Sequence, residues 1–338
     1  MTWKERRTIT ILSAILAVLS IALLIVLGIR YQASRGDTGE DGETAGPLIA
    51  AEHEYTALSY DNGSASLSFS LDEAGNWIWS DDPDFPLDDA VITAIIDELS
   101  TLKPQQTITN GDTLESYGLD NPTAALTATT AKDAVLTLSL GKATTDGDSY
   151  YMLMNGDEST VYIIADTLYN HLKTPIYDMM VLPELPELTE RNIQSITIQG
   201  TAGEDGTAAL STVLNARHTG EGDSTETSWR CGGSDVTGNE TVQALLEDLT
   251  GLSIDRCVDY RPSDEALSIC GFDSPAATLT VEYTTGTDAS QTLTLYIGIK
   301  AASGDGRYVQ LKDDTTIYLL PTASLDPLMR ISVNGLEA

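Results

Sequence analysis

The run Ser80 to Asp89, SDDPDFPLDD, places Asp81, Asp82, Asp84, Asp88 and Asp89 within ten residues. Calcium takes roughly six to eight oxygen ligands, and alternating carboxylates in a loop supply several of them. Asp81, Asp82, Asp84 and Asp88 are therefore a calcium candidate. The run lacks the glycine and the bidentate glutamate of a helix-loop-helix calcium motif, and aspartate beside a helix start is also explained by capping and by the helix dipole. Just upstream, Trp77 and Trp79 flank Ile78, so a strand would put both indoles on one face. Such a face could stack on sugar rings as a ligand-binding surface, or cover a helix, and Trp229 recurs at the matching place in the second half.

Catalysis asks for an activated group and a partner that tunes it. The histidines are His53, His171 and His218, and no two have metal-ligand spacing. Ser100-Thr101-Leu102-Lys103 spells Ser-x-x-Lys, but at the end of a helical stretch and without companion motifs. Gly141-Lys142-Ala143-Thr144 lacks the upstream glycine of a phosphate loop, and no Gly-x-Ser-x-Gly elbow occurs. Cys231, Cys257 and Cys270 are odd in number and have no zinc spacing; free thiols are the expectation, with a Cys257–Cys270 bridge as the alternative. The expectation is a non-enzymatic protein without a cofactor.

These side chains need a scaffold, and the chain supplies it twice. YGLDNPTAALTAT, Tyr117 to Thr129, returns as CGFDSPAATLTVEY, Cys270 to Tyr283. Trp79 maps on Trp229, Pro122 on Pro275, Gly141 on Gly298, Tyr151 on Tyr308 and Tyr162 on Tyr318, at an offset that drifts from 150 to 157 as loops grow. Val91, Ile92, Ile95, Ile96 and Leu99 form one helical stripe, and Val242, Leu245, Leu246, Leu249 and Leu252 form its counterpart. Pro86 suits a position just inside the first helix, with Asp84 as its cap. Ala124, Leu126 and Ala128 alternate with polar residues, as do Ala277, Leu279, Val281 and Tyr283. Leu136, Leu138 and Leu140 match Leu293, Leu295 and Ile297, each set ending in a glycine. GDSYYMLM and GDGRYVQL enter a further strand, STVYIIA and TTIYLL close the sheet, and a short helix is expected at Thr167 to Lys173 and at Ala323 to Met329. The repeated Gly-Asp-Pro phrase reads as a turn delivering the chain into a strand.

From Ile9 to Ile29 there is no charged residue. At about 1.5 Å per residue this stretch makes a helix of roughly 30 Å, long enough to span the hydrocarbon core of a bilayer. Lys4, Arg6 and Arg7 precede it, which favours a cytoplasmic N-terminus with the rest extracytoplasmic. The formal net charge is −33; Lys4, Arg6, Arg7 and Arg30 against Glu5 give residues 1–30 a net +3, leaving −36 for residues 31–338. So acidic a surface repels nucleic acid and anionic headgroups. The expected fold class is α+β: an N-terminal transmembrane helix, then two tandem repeats, each a mainly antiparallel sheet packed by an amphipathic helix. The segments are a cytoplasmic tail 1–8, a membrane-spanning signal anchor 9–29 in contact with lipid, a flexible spacer 30–51, a first repeat 52–180, a Pro-containing linker 181–189 and a second repeat 190–338.

YGLDNPTAALT, LSLGKATTDGDSYYML and VYII, with CGFDSPAATLT, LYIGIKAASGDGRYVQL and IYLL, resemble the bacterial domain of unknown function 4340 over nearly the whole region after the spacer. The resemblance implies one N-terminal membrane helix and an extracytoplasmic region, and it implies no catalytic residues. Some members look to be genomic neighbours of gliding-type or ABC-2-type transporter subunits, which implies an accessory or scaffold role in a membrane complex such as an ABC-type transporter. A module binding cell-envelope glycan or calcium is the alternative. The chain departs from the family pattern in its second copy, where Cys270 stands at the usual Tyr and the acidic stretch before the helix is lost.

Overall fold

The computed structural model describes residue 48 and residues 54–202, 208–220, 226–285 and 289–336. The segment expected to cross a membrane, residues 9–29, lies outside the described residues, as do its flanks 1–8 and 30–47. Among the described residues no helix is long and apolar enough to cross a membrane. The chain divides into two compact units between Met179 and Met180.

The first unit contains strands β1 (Tyr55–Asp61), β2 (Ser66–Leu71), β3 (Trp77–Trp79), β4 (Gln106–Thr109), β5 (Ala124–Thr130), β6 (Val135–Ala143), β7 (Ser149–Met154) and β8 (Thr160–Ala165). Its helices are α1 (Ala90–Thr101), α2 (Leu114–Tyr117) and α3 (Thr167–Leu172), with a 3-10 turn at Ile176–Met179. The second unit contains β9 (Ile193–Gly200), β10 (Ser211–Thr219), β11 (Glu226–Cys231), β12 (Ser234–Asp235), β13 (Arg256–Asp259), β14 (Ala277–Thr284), β15 (Ser290–Lys300), β16 (Gly306–Leu311) and β17 (Ile317–Pro321). Its helices are α4 (Glu240–Thr250), α5 (Asp264–Ile269) and α6 (Asp326–Asn334).

Each unit is built on one antiparallel sheet, of eight strands in the order β3-β2-β1-β5-β6-β7-β8-β4 and of nine in the order β12-β11-β10-β9-β14-β15-β16-β17-β13. The orders superpose strand for strand, and β12 is the addition. In both, the chain runs out to one edge, through three strands in the first unit and four in the second, crosses one face through a helix, and resumes at the opposite edge. That route explains the long approach to α1. Seven strand gaps of about 4.8 Å make a sheet roughly 34 Å wide, whereas the 12-residue helix spans only about 18 Å. The acidic run and residues 102–105 supply the remaining path.

The crossing helix buries Ile92, Ile95 and Leu99, with Val91 and Ile96 half-buried beside them, against Leu126, Leu138 and Leu140. In the second unit Val242, Leu245, Leu246 and Leu249 pack on Leu279, Val281, Leu295 and Ile297 in the same way. Each such side chain contributes on the order of 1.5–3 kcal/mol, an upper value because unfolded chains already bury some apolar surface. Alternation along β7 sends Met152 into this core and Leu153 to the other face, where Leu119 and Val161 form a smaller cluster beside the Tyr117–Tyr151 ring pair, 4.8 Å between centroids. Leu185 and Leu188, from the Pro183 and Pro186 stretch, pack into the second core.

Two local expectations, both at helix ends, are corrected. The first helix starts at Ala90, so neither Pro86 nor Asp84 lies at its N-terminus; Asp89 occupies the cap position without a side-chain bond, and Asp88 Oδ1 accepts from Ala90 N at 3.0 Å instead. The last helix extends to Asn334 after a 3-10 turn at Ala323–Leu325, because Ile331 and Leu328 still face the core there. The three cysteines are free, the reading favoured over a Cys257–Cys270 bridge, with Cys257 and Cys270 buried and Cys231 half-buried. The two crossing helices also differ at their starts: Asn239 accepts from Thr241 N and Val242 N at 3.0 and 3.2 Å. Asn239→Ala is expected to cost about 1 kcal/mol of the second unit's stability, whereas Asp89→Ala changes the first by less than about 0.5 kcal/mol. Urea midpoints of the two variants check this difference.

Candidate functional site

The acidic run is organised by the one aromatic residue inside it. Phe85 is buried, meets Trp79 edge-on at 5.4 Å and 82°, and lies 6.3 Å from the Tyr177 ring. Around that anchor the backbone turns on itself: Asp82 N donates to Trp79 O, Phe85 N to Asp82 O, and Asp88 N to Met179 O at 2.7 Å. Asp81, Asp84 and Asp88 are exposed and Asp82 half-exposed along this winding path. The four aspartates of the calcium candidate thus lie along a turning backbone, three exposed and one half-exposed. Among the described residues no three His, Cys, Asp or Glu side chains could hold a metal ion.

Trp77 and Trp79 sit on β3, the edge strand, with Trp79 paired to Phe69, and both pack half-buried against the first core. Trp229 occupies the matching strand of the second unit and is fully buried. The indole N–H groups of Trp79 and Trp229 are buried and have no hydrogen-bond partner. This position is a core position in the second unit and packs half-buried against the core in the first. The floor it makes supports the helix approach in the first unit.

Several of the candidate acid, base and nucleophilic groups hold structural places among the described residues. His218 lies between β9 and β11, its Nε2 3.0 Å from Ile193 O and its Nδ1 3.0 Å from Thr227 Oγ1, which itself donates to Glu190 O. His171 lies half-buried in the last turn of α3, and His53 is outside the described residues. Ser100 Oγ donates to the Asp97 carbonyl at 2.8 Å, so its proton is engaged by the helix backbone. Burial, reinforced by Asp259, pushes the Cys270 thiol up and away from the thiolate a nucleophile needs. Tyr60 and Tyr318 are likewise pushed up, by burial first and, for Tyr318, by its bond to Asp314. Asp72, Asp146, Asp157, Asp235 and Asp305 are held below the usual carboxylate range chiefly by turn hydrogen bonds, which is a structural use.

Two clefts in the second unit went unnoticed in the sequence. One, of about 520 Å³, is lined by Cys231, Ser234, Asp235, Asn239 and Leu336; the other, of about 450 Å³, by Glu190, Glu240, Gln243 and Glu247. They flank Gly238 at the start of α4. The helix N-terminus between them is already closed by Asn239. Crowding of like charge continues along that helix, where Asp248 is pushed up by burial and then by Glu247 and Asp326. The only advance signal was the Gly232-Gly233 turn, which does not announce a cleft.

What recurs in both units with the same geometry is the repeated phrase itself. Gly118, at φ 68°, ends α2 over the start of a bulge in β6; a Cβ on it would stand 2.9 Å from Lys142 N. Gly271, at φ 87°, does the same over Ile299. Facing them, a Cβ on Gly141 would collide with the Tyr117 carbonyl oxygen and one on Gly298 with the Cys270 carbonyl oxygen. The turn expected from the phrase is thus half of a crossing in which two backbones touch. Nothing wider than a hydrogen fits there.

The fold and these sites define a duplicated α+β protein: two mainly antiparallel sheets with few helices, of one topology. The chain belongs to the family described as Domain of unknown function (DUF4340), which matches residues 77–227 and 237–331, consistent with two tandem copies. The matches start in β3 and just before α4, so the family unit is phased later than the compact unit and the first match runs on into β11. No curated protein and no solved structure matches the chain.

Proposed function

We propose that this protein is a non-enzymatic, single-pass membrane protein of the bacterial cell envelope. Its N-terminus is cytoplasmic, and its two units are displayed outside the cytoplasm as an accessory or scaffold subunit of a membrane complex. The uncharged run Ile9 to Ile29 behind Lys4, Arg6 and Arg7 supports the anchor and its orientation. The observation that carries the scaffold role is the duplication: one strand order is kept in both units, down to the glycine crossing, while side chains on the outside differ. Duplicated walls with divergent surfaces suit contact with an asymmetric protein partner. An ABC-type transporter is the partner class that the family resemblance suggests.

The test is cross-linking in intact cells with a C-terminal tag, followed by solubilisation and mass spectrometry. Transporter subunits should be recovered with the full chain and lost when either the N-terminal apolar segment is exchanged or the two units are deleted. Recovery of the tagged chain alone would reject the scaffold reading and favour a ligand-binding module.

A further inference from the structure

The two glycine crossings are the same structure with different outward residues, and that difference is informative. In the first unit the crossing presents Ser116, two residues before Gly118, and Lys142 on the bulge; both are exposed. In the second unit the same two places hold Ile269, 65% exposed, and Ile299, 49% exposed. The crossing brings the two positions close along the backbone: the carbonyl of Cys270, the residue after Ile269, accepts from Ile299 N at 3.0 Å, and Ile299 Cγ2 lies 2.8 Å from where a Cβ on Gly271 would stand. Single exposed apolar residues need no explanation. A pair does, because the first unit demonstrates that a serine and a lysine serve this backbone equally well. The fold does not require isoleucine here.

The surroundings decide what kind of partner would cover the pair. Glu265 stands one helical turn before Ile269, and Asp273, which accepts a hydrogen bond from Ser268, stands on the other side; both are exposed, with Lys300 as the nearby base. The chain as a whole carries −33. A second copy brings the same charge and the same small patch, and two side chains fall well short of the ~800 Å² per partner of a standard interface. An anionic membrane surface is repelled by the same field. A short protein segment with one apolar residue between lysines or arginines satisfies both the isoleucines and their rim, as a small anchor with a polar surround.

We infer that Ile269 and Ile299 form an anchor point for a short, basic-flanked apolar segment of a partner protein, a surface the first unit lacks; this rests on the accessory role proposed above. The test uses the full-length chain in neutral phosphatidylcholine nanodiscs and a fluorescent peptide with a leucine-isoleucine centre flanked by lysines. Wild type should bind it at least about tenfold more tightly than the charge-neutral Ile269→Ser/Ile299→Gln variant, a tenfold ratio being about 1.4 kcal/mol. Val333→Ser, at an equally exposed residue of α6, should bind like wild type, and a glutamate-flanked peptide should not bind. Unchanged thermal unfolding of the double variant, as Ser116 and Lys142 lead one to expect, confirms that the surface alone was altered.

Equal binding by wild type and the double variant would overturn the inference. So would isoleucine-dependent binding to phosphatidylglycerol vesicles, or an isoleucine-dependent dimer in sedimentation, since each would assign the patch to a different occupant. Co-purification of a transporter with the double variant would remove this surface from the contact and leave the accessory role standing, so the two failures are distinguishable.

Discussion

Gly298→Ala is expected to destabilise the second unit by about 3 kcal/mol, and Gly141→Ala to do the same to the first, although alanine adds one methyl group. The reason lies in what the methyl meets. At Gly298 it collides with the Cys270 carbonyl oxygen and at Gly141 with that of Tyr117, so the obstacle in each case is backbone and no rotamer change relieves it. Backbone retreat would also break Ile299 N to Cys270 O in the second unit and strain Thr123 Oγ1 to Gly141 O, 2.9 Å, in the first. Native-state hydrogen exchange reads the units separately. Protection should fall in β14 and β15 for Gly298→Ala and in β5 and β6 for Gly141→Ala, with the other unit unchanged. Gly238→Ala is the control, since a Cβ there meets nothing within 4 Å. If both crossing variants matched that control within about 0.5 kcal/mol, the close approach of the two backbones would be wrong.

Trp229 is the site of the second large effect, and there the interest is in the contrast between two substitutions. Trp229→Ala removes a fully buried indole from the second core, 0% exposed, and should cost about 3–5 kcal/mol. Trp229→Phe should cost under about 1.5 kcal/mol. It gives up part of the buried area, but it also removes a buried indole N–H that has no partner and whose desolvation is worth on the order of 1–3 kcal/mol. Trp79→Ala, at the half-buried counterpart against Phe85, should fall between these values. Urea unfolding of the three variants is the measurement. Equal losses for Trp229→Ala and Trp229→Phe would mean that the indole N–H is satisfied after all, and that the aromatic volume matters less than the hydrogen bond.

The inward-facing residues were legible because apolar period is a local property. Ile92, Ile95 and Leu99 could be placed on one helical face, and Ala124, Leu126 and Ala128 on one strand face, without knowing what they touched; all six are buried. The repeat was legible for the same reason, since the second copy preserves that alternation through a changed set of residues. The starting hairpin, Tyr55–Asp61 with Ser66–Leu71, went unread although it carries local signals: Leu67, Phe69 and Leu71 alternate strictly with serines, and Asn62-Gly63 between the strands is hairpin turn chemistry. The pairing of β4 with β8 and of β13 with β17 was unreadable for a physical reason, because those partners lie more than fifty residues apart and strand register carries no local signature.

What the amino-acid sequence determined alone was therefore which side chains go inside, that they do so twice, and that a glycine stands near the end of one long strand in each copy. Which surface residues become neighbours was decided only by the tertiary structure. Asp81, Asp82, Asp84 and Asp88 are close in the chain yet form no metal-holding group among the described residues, on a segment that must help carry the chain across a sheet wider than its helix is long. Ile269 and Ile299 are far apart in the chain yet belong to one crossing, because two backbones meet at Gly271 and Gly298 with no side chain between them. Proximity along a chain is set by covalent geometry, whereas proximity in a fold is set by strand pairing and close packing, and the candidate sites here depend on the second.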